Sequence, residues 1–178
     1  MRVSFILGVT PLFFAGGRPM SLAKQHLYTT RTEWTGNLGE GTAGYRAYSR
    51  DHGISAAAKP EIPGSSDPAF RGDATRWNPE DLLVASLSSC HMLWYLHLCS
   101  QAKIVVLAYR DDAVGTMVED ASGGGRFSHA LLRPVATLAA GSDARQARAL
   151  HGEAHRLCFI ANSVNFPVVI ESTERVAD

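Results

Sequence analysis

Residues 78–99, NPEDLLVASLSSCHMLWYLHLC, decide the fold. Asn78 can cap a helix, Pro79 suits a first turn, and Glu80 and Asp81 favour the positive end of a helix dipole. From Leu82 to Cys99 there is no glycine or proline, and the run is too long for one strand, so it reads as a helix. It is apolar or small on almost every side, and such a helix has to be buried on most of them. Ser86, Ser88, Ser89, His91 and His97 make it too polar for a transmembrane span. It reads as the central helix of a protein core, for which a dimer axis is one natural setting.

Downstream, residues 104–118 and 127–138 alternate as strands do, and Ser122-Gly123-Gly124-Gly125 between them marks a hairpin. Ser142-Asp143 caps a second helix that is expected to reach about Ile160, and Phe166 to Ser172 is a last strand. Upstream, residues 26–50 read as a first hairpin, with Tyr28, Thr30, Thr32 and Trp34 alternating and Tyr45 to Tyr48 returning. Residues 51–77, with Pro60, Pro63, Gly64, Pro68 and Gly72, read as loop. The order β-β-α-β-β-α-β predicts an α+β arrangement of helices on antiparallel sheet.

Lysine plus arginine equals aspartate plus glutamate, 17 each in 178 residues. That balance gives no electrostatic reason to expect nucleic acid or an anionic membrane as partner. Val3 to Phe14 is apolar, follows Arg2, and is too short to span a bilayer. It has the look of a weak signal peptide, or of an upstream extension before a start at Met20. Residues 1–24 are read as an N-terminal extension and 25–178 as the folded domain. Three cysteines, an odd number, suggest a reducing compartment, hence the cytoplasm, where a disulfide is transient and catalytic.

Cys90 and Cys99 stand nine residues apart on one helix and face opposite ways, so they do not pair within it. A Cys90–Cys158 pair would join the two helices; equally, all three cysteines could be small buried hydrophobes. His151 and His155 share a helix face with Cys158, which has the spacing of a metal half-site. Residues 151–155 are HGEAH, however, not H-E-x-x-H, and Cys90 and His91 diverge by about 100°. These histidines read better as surface or interface groups. Gly123 to Gly125 lacks the Lys-Ser/Thr of a phosphate loop, and no G-x-S-x-G elbow is present.

Asn78 to Leu83, then Ala85 to Ser89 and Cys90, resembles the signature of the OsmC/Ohr family of thiol peroxidases. So does the block Cys158-Phe159-Ile160-Ala161-Asn162-Ser163 followed by Pro167, and the opening Trp34-Thr35-Gly36 with Gly39 and Gly41. The ten-residue step from Glu80 to Cys90 is the most specific feature, and the loop Ser66 to Asp73 looks like an OsmC-like branch. The resemblance implies antiparallel sheets wrapped around two long central helices in an intertwined homodimer. It implies a peroxidatic Cys90 that attacks an organic hydroperoxide, a resolving Cys158 that closes a disulfide, and a dithiol reductant, of lipoyl type for example, that reopens it. Glu80 matches the glutamate that orients an activating arginine. Arg71 is assigned that arginine's part, although it follows Phe70 where relatives place arginine before the phenylalanine, and Arg76 is near. The resemblance implies neither a cofactor nor a metal.

On one continuous helix Glu80 would stand ~15 Å from Cys90. Either the helix breaks after Glu80 or the site is shared between subunits. Two other functions are open to such a chain: binding of a small apolar ligand at a dimer interface, and thiol-based metal or redox sensing.

Overall fold

The structure, a computed structural model, describes residues 24–177. The reading of residues 1–24 as an extension therefore lies outside the described residues, Lys24 excepted. The chain runs β1 (Arg31–Trp34), β2 (His52–Ser55), β3 (Ile62–Gly64), α1 (Pro79–Gln101), β4 (Val106–Asp111), β5 (Val114–Glu119), β6 (Gly125–Leu132), β7 (Pro134–Leu138), α2 (Ala144–Leu157), β8 (Val168–Ile170) and β9 (Thr173–Val176). Three three-stranded sheets form, in the orders β1-β2-β3, β4-β7-β9 and β5-β6-β8.

α1 begins as expected: the Asn78 side chain accepts from the Asp81 N–H at 2.7 Å, and Pro79 occupies the first turn. The helix is unbroken for 23 residues. Among the described residues it is the one helix long and apolar enough to cross a membrane, yet its buried row lies against α2 and the sheets as a core helix does. That row is Leu87, His91, Tyr95 and Cys99, at intervals of four. Most of its flanking positions are part-buried, and Leu93 stays 63% exposed.

The second hairpin is longer and more bent than its sequence suggests. β5 and β6 pair across the Ser122–Gly125 turn, and β4 pairs with β7 further along the same two arms. Both arms kink, at Asp112-Ala113 and at Arg133, so one hairpin supplies two sheets. Pro134 follows the second kink, and the Asp111 carboxylate holds the corner by accepting from the Arg133 N–H (2.6 Å) and from the Ser88 hydroxyl of α1 (2.5 Å).

Four expectations need correction. β1 does not pair with Tyr45–Tyr48; its partner is β2, beyond a long excursion that touches back through the Asn37–Tyr48 bridge and the Ser49 N–H donated to the Gly36 carbonyl. The excursion is shaped by Asn37, whose side chain accepts from the N–H groups of Gly39 and Gly41, and by Gly36, where a Cβ would sit 2.0 Å from the Ser49 carbonyl. Residues 51–77 are accordingly not all loop, since they contain β2 and β3. The sheets are not wholly antiparallel: after α2 the chain adds β8 parallel to β6 and β9, missed in the sequence, parallel to β7. A helical crossover is what parallel pairing requires. Finally, α2 stops at Leu157, three residues short of Ile160, and Cys158 is its C-cap.

α2 buries Ala147, His151 and Ala154, with Cys158 next in the same row. The two alanines let α1 come close. One core cluster joins Tyr95, Cys99, Ile104, Ala136 and Leu138 to α2, and a second joins Leu87 to Ala130 and Leu132 under the segment from Ile160 to Ile170.

Candidate active site

Cys90 lies one residue before the buried row of α1 and is half-buried, whereas Cys158, at the end of α2, is buried. The Cys90 side chain is close enough to act on the Cys158 thiol. Burial, then the contact with Cys90, pushes the Cys158 thiol up to about 11, while the Ala161 N–H bound to its sulfur at 3.4 Å acts the other way. Both are free thiols. The helix end places Cys158 well: once α2 stops, the Cys158 sulfur and carbonyl receive the N–H groups of Ala161 and Asn162. Trp94 of α1 packs edge-on against Phe159, closing one side.

Glu80 does not reach this pair within one chain. α1 is continuous from Pro79, so the two sites stand about 15 Å apart along its axis. Of the two alternatives open in the sequence, a broken helix is excluded. Arg71 sits on an exposed loop in a left-handed backbone conformation (φ 65°), capping the short 3-10 turn Pro68–Phe70. Its guanidinium lies 5.9 Å over the Tyr45 ring. Arg50 lies closer to that ring (4.4 Å) and to Tyr48 (4.2 Å), and one of its nitrogens is buried without a partner. Arg76 is taken by Asp51 and Asp73.

Cys99 is buried in the row facing the core, where burial raises its thiol. The histidines are less superficial than expected. His91 and His151 are 1% and 4% exposed, and their Nε2 and Nδ1 atoms lie 2.9 Å apart. The His151 ring stacks on Tyr95 at 3.8 Å, and its Nε2 faces Glu174 Oε1 at 3.3 Å. Glu174 accepts from Arg148 at 2.7 Å through its other oxygen. Burial depresses both histidines to about 4. No group of three or more metal-binding side chains assembles among the described residues. Glu174, Tyr95 and the Ser88–Asp111 contact went unnoticed in the sequence. His91, the one imidazole between Leu87 and Tyr95 at helical spacing, was the available signal.

A groove of about 740 Å³ runs beside α1, lined by Glu80, Val84, Ser89, Met92, Met117 and Phe127 among others.

The family described as OsmC-like protein has a model that matches residues 72–173. A solved OsmC-like protein of unknown function from Vibrio cholerae is 29% identical, with a TM-score of 0.76 over 84% of this chain and 100% of its own. An organic hydroperoxide resistance protein from Elizabethkingia anophelis is 19% identical, with a TM-score of 0.61 over 86% of this chain and 100% of its own. One from Legionella pneumophila is 18% identical, with a TM-score of 0.60 over 85% and 99%. At those identities the last two show a shared fold. No curated protein matches the chain.

Proposed function

The chain belongs to the OsmC-like protein family, and from that premise we propose that it is a thiol-dependent peroxidase for organic hydroperoxides. The observation that carries this reading is the nearness of two free thiols, Cys90 and Cys158, delivered by different helices. In the proposed cycle the Cys90 thiolate attacks the terminal oxygen of the hydroperoxide. The O–O bond breaks, the alkoxide leaves and takes a proton to become an alcohol, and Cys90 becomes a sulfenic acid. Cys158 then attacks that sulfur, the S–S bond forms, and water leaves. A dithiol, lipoyl-type for example, reduces the disulfide by exchange and is itself oxidised to a disulfide. Such chemistry suits a reducing compartment such as the cytoplasm.

In this reading the active unit is a homodimer. α1 leaves Leu93 uncovered, and Trp34, Leu38 and Tyr45 of the N-terminal segment are exposed; a second copy would bury both. The same pairing would answer the distance from Glu80 to Cys90, with Glu80 and Arg71 acting across the subunit boundary.

Purified protein given cumene hydroperoxide and dihydrolipoamide should consume the peroxide catalytically. Cys90→Ser should abolish turnover, and Cys158→Ser should leave a sulfenic acid that a dimedone probe labels. Peroxide loss undiminished by Cys90→Ser would sink the proposal. The groove beside α1 favours a second reading, storage or transport of a small apolar ligand, and it predicts ligand binding that Cys90→Ser does not alter.

A further inference from the structure

The central helix has an orientation problem. Of its four rows at intervals of four, Asp81-Ala85-Ser89-Leu93-His97 is exposed, and the other three are Leu83-Leu87-His91-Tyr95-Cys99, Leu82-Ser86-Cys90-Trp94-Leu98 and Val84-Ser88-Met92-Leu96-Ser100. All three are apolar enough to bury, and the row that is buried is the one that contains an imidazole. Apolar burial alone does not select that row, because the Val84-Ser88-Met92-Leu96-Ser100 row carries only hydroxyls, of which Ser88 has Asp111 as its acceptor, and no imidazole. Something directional makes the choice.

The directional element is the line His91–His151–Glu174. The Glu174 carboxylate, salt-bridged to Arg148 through one oxygen, stands with the other 3.3 Å from His151 Nε2, and its negative charge favours the ring proton on that side. That leaves His151 Nδ1 as the acceptor and His91 Nε2 as the donor of their 2.9 Å hydrogen bond. Turning α1 by one residue, about 100°, would take the His91 donor away and leave the buried His151 Nδ1 unpaired. The row of α2 that carries His151 continues through Ala154 to Cys158, about 10 Å further along the axis. With His91 turned onto His151, its neighbour Cys90 is brought to the end of α2, where Cys158 waits.

We propose that His91, His151 and Glu174 form a register key, a set of positioning residues that locks the rotation of α1 against α2 and so holds the Cys90 thiol on Cys158. The inference rests on the peroxidase reading for its purpose, since a key matters only if the two sulfurs have to meet. It assigns no proton transfer to the histidines.

The test reads the thiol–disulfide equilibrium, which needs no peroxide. Full-length protein is equilibrated with reduced and oxidised glutathione and acid-quenched, and the Cys90–Cys158 disulfide is counted by mass spectrometry. Each disulfide formed takes two electrons from two thiols and reduces one oxidised glutathione to two glutathione molecules. His91→Leu/His151→Leu removes both rings, and Glu174 keeps Arg148 as its partner. It should retain its helical circular dichroism but lower the equilibrium constant by about tenfold or more, because the thiols are no longer held together. His91→Gln keeps a donor at the equivalent position and should stay within about threefold of wild type. A folded double variant with the wild-type constant overturns the key and leaves the peroxidase reading standing. A wild type that forms no Cys90–Cys158 disulfide overturns both. If the double variant does not fold, nitrogen-15 histidine spectra of the wild type decide: both rings must carry their proton on Nε2, and any other tautomer pair refutes the line as drawn.

Discussion

Lowering the pH from 7 to 4 should loosen the seam between α1 and α2 in a way that two residues control. His91 and His151 are buried and held at about 4, against the ordinary 6.5. Between those values the unfolded chain binds protons that the folded chain refuses. The contribution of the pair is therefore complete above 6.5, and it falls away as the pH drops through about 4. Each histidine weakens the fold by about 1.4 kcal/mol per pH unit in this window, about 3 kcal/mol in all. The two shifts do not simply add, because a proton on one ring opposes a proton on the other. Glu174 pulls His151 upward against its burial, so His91, which has no such partner, is the cleaner probe. Urea unfolding followed by far-ultraviolet circular dichroism at half-unit pH steps gives the slope for wild type and for His91→Leu. The substitution should remove about 1.4 kcal/mol per unit of the slope between pH 6 and 4.5. Identical slopes in the two proteins would refute the argument.

Asn78→Ala should lower stability by about 1 kcal/mol, measured by urea unfolding, because it strips the cap from α1. With its thiol held at about 11, Cys158 should react with iodoacetamide at pH 7 about 100-fold more slowly than an unperturbed cysteine, and its rate should rise about tenfold per pH unit. Peptide-resolved mass spectrometry reads this directly, and equal labelling would contradict the assigned environment. Leu93→Asp should convert the proposed homodimer to a monomer, read by light scattering, since Leu93 lies on the uncovered side of α1.

Local chemistry was legible in residue order wherever one short segment contained its own cause. The start of α1 follows from Asn78 and Pro79, the start of α2 from Asp143, whose carboxylate accepts from Arg145 and Gln146, and the β5–β6 turn from Ser122 to Gly125. The first hairpin misled because Tyr45 to Tyr48 alternate as a strand does, while a strand's partner is chosen by distant pairing, and β1 prefers β2. β9 was missed for the same reason, since its four residues are a strand only against β7.

The candidate site divides along the same line. Sequence by itself determined that Cys90 and Cys99 face apart, that Glu80 stands ten residues from Cys90 on α1, and that Cys158 follows two histidines on one face of α2. Tertiary structure alone decided which row of α1 turns inward, that Cys90 comes near Cys158, and that Glu174 lies behind His151. The physical reason lies in α1 itself. A helix apolar on all sides carries no stripe from which its orientation can be read, so its rotation is settled by contacts that residue order does not display.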